Sequence, residues 1–349
     1  MKIALVAPID ERIPPKKYGG IGRIVGSLAS GLVNKGHNVT LLGSGDSKTN
    51  AKLIPIFPKS VGGLKAYQND PFARTAYFQL AIAKIVTILQ KQKFDIINNH
   101  LGWRLVPFHK ILSSPMITTL HTPLDEVNKQ ITYTEHQSAN FISISKNQRR
   151  PLPKLNYVAM IYNGIDLDLY DFSPKHNDYF VFLGRMSPEK GALEAIKIAK
   201  KLKVRSILAG AVFGWDRQYF NLKIKPLIDG KQIIFVGEIT DRQKNRLLGG
   251  AKALIAPIKC NESFGLAFVE AMACGTPVVT FARGSAEEII IHGKTGFIAR
   301  SIGQMIKYCQ NIDSIRREDC RNRALQFSAQ KMVSEYEKVF HTIMKQKVP

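Results

Sequence analysis

Short apolar runs alternate with longer helical segments along the whole chain, and the alternation starts afresh halfway. In the first half the runs Lys2–Ala7, Asn38–Leu42, Asp95–Asn98, Met116–Leu120, Phe141–Ser145 and Val158–Tyr162 read as strands. Segments such as Ile21–Lys35 and Ala73–Lys91 read as the helices between them. In the second half Tyr179–Leu183, Arg205–Ala209, Gln232–Val236, Ala253–Ala256 and Pro277–Phe281 repeat the pattern. Strands joined through helices pair in parallel, because only a long crossover returns the chain to the same edge of a sheet. The expected fold class is therefore α/β, with two doubly wound, Rossmann-like units in tandem.

A chain of 349 residues exceeds one ordinary core, which also favours two domains. The polar stretch Asn163–Pro174 (N-G-I-D-L-D-L-Y-D-F-S-P) is placed to link them, with the first domain over 1–164 and the second over 165–329. In doubly wound sheets ligands bind beyond the C-terminal ends of the strands, so two such units facing each other would hold a ligand in the cleft between them. The segment Ala329–Lys345 reads as a helix.

Apolar residues make up 45% of the chain and charged residues 22%, the balance of a soluble globular protein. No uninterrupted apolar run is long enough to span a bilayer, so no spanning helix is expected. The opening M-K-I-A-L-V-A-P is too short for a signal peptide and meets Asp10, Glu11 and Arg12 at once. Four cysteines without C-x-x-C or metal-ligand spacing fit a reducing, cytoplasmic compartment. The net charge of +23, divided nearly evenly between the halves, implies an acidic partner: an anionic membrane surface or a phosphorylated substrate. No nucleic-acid-reading motif accompanies it, so nucleic acid is not expected.

The motifs with chemical content stand at strand ends. Between Ile255 and Thr280 two carboxylates, Glu262 and Glu270, bracket a helix start. Open amides there bind an anion while the carboxylates accept from hydroxyls, a combination that suits a nucleotide sugar. After Tyr179–Leu183 comes Gly184-Arg185-Met186-Ser187-Pro188-Glu189-Lys190-Gly191, where a guanidinium and an ammonium can hold a diphosphate. Pro188 fits the first turn of the following helix, with Ser187 as its cap. Gly19 and Gly20 open the first helix of the first unit without forming a dinucleotide fingerprint. His121 follows a strand and is placed to orient a sugar hydroxyl or move a proton, with His100 in a similar position. Asp166 and Asp168 form a D-x-D string, but Arg185 and Lys190 already supply the charge a metal would bring. Glu288 follows the strand Pro277–Phe281 and either caps a helix or touches a sugar.

These residues carry a resemblance. G-R-x-x-x-x-K-G, E-x-F-G-x-x-x-x-E-A-M-A-C-G-T-P-V-V and G-x-T-G-F, with Y-G-G-I, L-H-T, Y-N-G-I-D and V-G-E-I, are similar to family 4 retaining glycosyltransferases. The resemblance implies the two-domain GT-B fold, with the C-terminal helix 330–349 crossing back to an acceptor-side first domain. It implies catalytic roles for His121, Arg185, Lys190 and Glu262: the two cations on the leaving diphosphate, Glu262 on the transferred sugar, His121 beside it. It implies that Gly19 and Gly20 offer amides to the distal phosphate. Gly184 and Gly237, Glu238 and Ile239 would border the donor, the last three at its base. Phe264, Gly265 and Leu266 would reach sugar or phosphate, and Glu270 the ribose. No metal or other cofactor is expected. Thr122 replaces a common acidic residue, and Lys259-Cys260-Asn261 lacks a common proline, both in loops that set sugar and acceptor.

The reading is thus a retaining transfer from a UDP-, GDP- or ADP-sugar to an acceptor hydroxyl, the acceptor being a lipid or glycan at a membrane surface. The alternatives are a nucleotide-sugar epimerase of the same fold and a basic module binding nucleic acid or lipid.

Overall fold

The computed structural model describes residues 1–345, and the last four residues of the expected C-terminal helical segment lie outside them. Among the described residues thirteen strands form two all-parallel sheets. Strands β1 (Lys2–Val6), β2 (Asn38–Ser44), β3 (Lys52–Phe57), β4 (Ile96–Asn99), β5 (Met116–Thr119), β6 (Asn140–Ser143) and β7 (Tyr157–Met160) make the first. Strands β8 (Tyr179–Leu183), β9 (Arg205–Ala209), β10 (Ile233–Gly237), β11 (Ala253–Ala256), β12 (Val278–Phe281) and β13 (Gly296–Ala299) make the second.

The strand order is β3-β2-β1-β4-β5-β6-β7 in one sheet and β10-β9-β8-β11-β12-β13 in the other. In each sheet the direction of winding reverses once, between β1 and β4 and between β8 and β11. Those two gaps are the switch points where crevices open in doubly wound sheets. Ile3 to Val6 of β1 are fully buried, as the centre of a parallel sheet covered on both faces requires.

The Cα packing divides the chain into two compact units. The first comprises Met1–Pro15, Gly19–Gly164 and the segment from Ala329 onward. The second comprises Ile165–Ser328 together with Lys16–Tyr18. The grouping differs from the expected division in assigning Lys16–Tyr18 to the second unit and Ala329 to the first.

Two strands were absent from the expected set, and both are sheet edges. The strand β3 carries Pro55, which removes a ladder donor and is tolerated only at an edge. The strand β13 begins at Gly296, with φ 155°, so its sequence reads as a turn. A Cβ at Gly296 would stand 2.0 Å from the Val278 carbonyl oxygen, which accounts for the glycine.

Helix Pro71–Lys91 stands where a helix was expected over Ala73–Lys91. Its 21 residues are long and apolar enough to cross a membrane by length and composition. Asp70 caps it, accepting from the amides of Phe72 and Ala73 at 2.8 and 3.3 Å, and Pro71 opens it. Phe78, Ala81, Ile85, Val86 and Leu89 bury into the core of the first unit. The opposite face stays exposed, with Phe72 at 87% and Leu80 at 55%.

Helix Ala329–Lys345 lies on helix Gly20–Asn34 within the first unit. It buries Met332, Val333, Tyr336, Phe340 and Ile343, the stripe a one-sided helix presents. Glu337 accepts from Lys35 at 2.9 Å and meets His37 at 2.8 Å. The Tyr336 hydroxyl meets Thr119 at the end of β5.

Candidate functional site

In the second unit the loops after β8 and β11 flank the switch point, and backbone contacts lock them together. Gly191 has φ 82°, and a Cβ there would stand 2.1 Å from the Pro257 carbonyl oxygen. Lys259 donates its amide to Glu189 at 2.8 Å. The helix after β8 starts at Ala192, with Gly191 as its cap residue. Ser187 and Pro188 therefore lie in the preceding turn and not in the helix, which corrects their expected roles. The glycine, not the proline, sets the boundary because only it tolerates the left-handed backbone so close to Pro257.

That loop presents Arg185 and Lys190. Lys190 Nζ donates to Glu262 Oε2 at 2.6 Å. Burial alone would raise the Glu262 carboxyl, but Lys190 and the amides of Phe264 and Gly265 outweigh it and hold the pKa below its ordinary value. Burial works against charge on Lys190 as well, and Glu262 reverses that and raises it. The pair is thus ionised on both sides. The loop after β12 clamps Glu262 from behind: Ser285 donates to its carbonyl at 2.8 Å, and a Cβ at Gly284 would come within 2.1 Å of that oxygen.

Arg185 donates to Glu189 in a short contact, and its Nε stands 3.3 Å from Asp216 Oδ2. Asp216 is buried, and burial raises its carboxyl while Arg185 draws it down. Both cations expected to hold a diphosphate are therefore oriented by carboxylates, of which only Glu262 was read from the sequence.

Gly265 has φ 81° and is the residue from which helix Leu266–Ala273 starts. Phe264 is buried, with its ring 5.7 Å from that of Phe327. Glu270 lies in the second turn of the helix, buried, and its Oε1 accepts from Tyr170 at 2.7 Å and, in a short contact, from Lys244. Lys244 is itself buried, in helix Asp241–Gly249, which Thr240 and Gln243 cap reciprocally. Gly184 follows β8, and its carbonyl lies where a Cβ on Gly210 would be, 1.8 Å away. Gly237, with φ 68°, ends β10, and Glu238 and Ile239 continue at the same sheet edge as the loops of Arg185 and Glu262.

In the first unit His121 follows β5 and His100 follows β4. Their rings stack 5.1 Å apart, with His100 Nδ1 and His121 Nε2 at 2.8 Å. One ring donates and the other accepts, so the pair cannot hold a proton on every nitrogen. Burial pushes His121 down to about 4 and, with His121 adding to it, holds His100 well below the ordinary range. The structure therefore favours a neutral imidazole at position 121, one that orients a hydroxyl or accepts a proton.

Gly19 precedes and Gly20 begins helix Gly20–Asn34. The carboxylate of Glu11 lies at that helix start, accepting from the Gly22 amide at 2.6 Å. A Cβ on Gly19 would stand 1.9 Å from Glu11 Oε2. Burial, with Asp10 adding to it, pushes the Glu11 carboxyl up to about 8. A proton on Glu11 leaves the helix start free of a competing negative charge.

Asp166 and Asp168 form a turn, the Asp168 amide donating to Asp166 Oδ1 at 3.2 Å. Glu288 sits in the short helix Ala286–Ile289, whose end Arg323 holds by donating to the carbonyls of Glu288 and Ile289. Among the described residues no group of three or more His, Cys, Asp or Glu side chains could hold a metal ion.

Residues 18–169 match the family described as Glycosyltransferase Family 4, and residues 171–331 match Glycosyl transferases group 1. The chain is 25% identical over 342 residues to the uncharacterized glycosyltransferase MJ1607 of Methanocaldococcus jannaschii, covering 85% of this chain and 84% of that protein. The sucrose-phosphate synthase structure from Thermosynechococcus elongatus superposes with a TM-score of 0.83 at 16% identity, covering 99% of each chain. The structure of Anabaena HepE in complex with UDP-glucose superposes with a TM-score of 0.74 at 19% identity, covering 98% of this chain and 100% of that one.

Proposed function

We propose a donor and a reaction for this chain from the premise that it belongs to the family 4 glycosyltransferases and has their GT-B fold. The donor is a nucleotide-diphosphate sugar, the reaction transfer to an acceptor hydroxyl with retention of configuration, and the charge on the leaving group is met by side chains without a metal. The observation that carries this reading is the convergence of Arg185, Lys190 and Glu262 at the β8/β11 switch point. The complex of HepE with UDP-glucose supports the choice of donor.

Cleaving a glycosyl diphosphate builds negative charge on the departing oxygens. Cations fixed before the reaction stabilise that charge without reorganising as it forms. Asp216 and Glu189 orient Arg185, and Glu262 orients Lys190, so both are held in place. Glu262 keeps a carboxylate beside the amides of Phe264 and Gly265, in position for sugar hydroxyls. Glu270 serves the ribose, with Lys244 and Tyr170 holding one oxygen so that the other faces the ligand. Gly184, Leu266 and the Gly237–Ile239 loop border the donor in this reading. In the first unit this reading gives Gly19 and Gly20 the role of offering amides to a phosphate, and the neutral His121 imidazole that of meeting a sugar hydroxyl.

The test pairs binding with turnover. UDP, GDP, ADP and their sugars are screened by thermal shift, and one should raise the midpoint by mass action. Arg185→Ala and Lys190→Ala should each lower kcat by about 10²–10³-fold, by analogy with removal of an oxyanion donor. EDTA should leave the rate unchanged. Nucleotide binding by neither wild type nor variants, or full activity in Arg185→Ala, would sink the proposal.

A second reading concerns location: a cytoplasmic protein on the inner face of a membrane, with a lipid or glycan acceptor. The outward face of helix Pro71–Lys91 favours it, since Phe72, Ala76, Leu80 and Ala83 share that face. The helix contains Arg74, Lys84 and Lys91 and no acidic residue.

A further inference from the structure

The switch point of the first sheet opens between the ends of β1 and β4, and none of the roles proposed above uses its cationic lining. Asp10 follows β1. Arg104 follows β4, on a loop that Asn99 pins twice, accepting from the Leu101 amide at 2.8 Å and donating to the Gly102 carbonyl at 3.0 Å. Gly102, with φ 73°, lets that loop turn at once after the strand. The Arg104 guanidinium carbon lies 3.8 Å from the centroid of the Phe78 ring and 4.6 Å from that of Trp103. Cation–π contacts hold such a group in place but fill none of its N–H donors. Among the described residues no hydrogen bond or ion pair engages that guanidinium.

A second arginine approaches the same place. Arg74 is anchored by bonds to the carbonyls of Tyr67 and Gln68, at 3.0 and 3.3 Å, with its guanidinium 5.5 Å from the Tyr67 ring. The Gly62 amide donates to the Asp10 carbonyl at 3.1 Å, which brings the segment leading to Tyr67 and Arg74 against the loop after β1. Asp10 lies close enough to both arginines to feel their charge. The nearby Glu126 is taken by Lys129 at 2.5 Å. Two guanidinium groups thus face one carboxyl, and the excess is positive.

We propose that this crevice binds a phosphate group carried by the acceptor, with Arg104 as its main contact, Arg74 as a second cation and Asp10 accepting from a neighbouring hydroxyl. A planar guanidinium with open donors matches phosphate bidentately, and a second cation suits a group that carries more than one charge. The phosphate belongs to a soluble sugar phosphate or to a phospholipid headgroup. Phe72, two residues from Arg74 and 87% exposed, gives the lipid a surface to rest on. The proposal rests on the reading that the chain is a glycosyltransferase with an acceptor-side first unit.

The experiment uses the full chain with saturating UDP, so that the cations of the second unit are occupied. Inorganic phosphate, glucose 6-phosphate and vesicles of phosphatidylglycerol or phosphatidylcholine are titrated against wild type, Arg104→Met and Arg104→Lys. Methionine keeps an apolar stem beside Phe78 and Trp103 and removes the donors. Wild type should bind at least one phosphate probe, Arg104→Met about tenfold more weakly or worse, and Arg104→Lys in between, with UDP affinity the same in all three. Preference for glucose 6-phosphate identifies a soluble acceptor, and preference for phosphatidylglycerol over phosphatidylcholine a lipid. Equal affinities in wild type and Arg104→Met, or no phosphate probe bound by wild type, would overturn the proposal. Repeating the phosphate titration without UDP keeps this test independent of whether the nucleotide binds.

Discussion

His100 and His121 share a proton across 2.8 Å, and that contact sets a lower pH limit for the fold. Both rings titrate below the ordinary histidine value of 6.5, His121 near about 4. The unfolded chain therefore binds more protons than the folded one between those values, and stability falls as the pH drops through them. The loss attached to His121 is at most on the order of 3 kcal/mol. Melting temperatures followed from pH 7 down to about 4.5 should fall more steeply for wild type than for His121→Gln. Parallel curves would show that the pair carries no such linkage. The same residue scale shows what a sequence can and cannot disclose. The positions of Glu262 and Glu270 are legible because they are set locally: a loop end, a glycine, a helix turn. Lys244 sits 26 positions before Glu270 in an ordinary polar helix, and Asp216 follows a tryptophan in a loop. Only the fold brings each to its partner, so neither could be read. Glu11 was visible as a charge after the first strand, but not as the group that reaches the start of the first helix.

At the scale of elements, the glycine that ends the loop after β8 makes a sharp case. Gly191 and Gly230 have similar backbone angles, φ 82° and 72°, but Gly230 has open space around it while Gly191 faces the Pro257 carbonyl. Alanine at Gly230 should cost only the backbone penalty, about 1 kcal/mol. Alanine at Gly191 must also part the loops after β8 and β11 and should cost about 2 kcal/mol or more beyond that. Because Lys190 is adjacent, Gly191→Ala should also weaken nucleotide binding, whereas Gly230→Ala should not. Thermal melts and UDP titrations on the two variants separate clash from strain. Periodicity recovered the central strands because they are continuous apolar runs, and β8, β9 and β11 were placed to the residue. It missed β3 and β13 because an edge strand pairs on one side only and tolerates the proline and glycine that otherwise mark a turn.

For the whole molecule, the feature with the widest reach is the helix Ala329–Lys345, which follows the second unit in sequence and belongs to the first. It covers helix Gly20–Asn34 so closely that a Cβ on Gly31 would stand 2.5 Å from Val333. Removing everything after Ser328 should therefore loosen the first sheet and spare the second. Amide exchange should show lost protection in β1, β2 and β5 with β8, β11 and β12 unchanged, and equal losses in both sheets would contradict the assignment. The helix has a further consequence during synthesis. Domains of a growing chain normally finish in the order in which they leave the ribosome. Here the first sheet emerges early but lacks one wall until Ala329–Lys345 is made, whereas the second has all its parts before that point. The unit whose strands emerge first is thus completed only after the second, and until the segment Ala329–Lys345 emerges the face of helix Gly20–Asn34 around Gly31 stays uncovered on the growing chain.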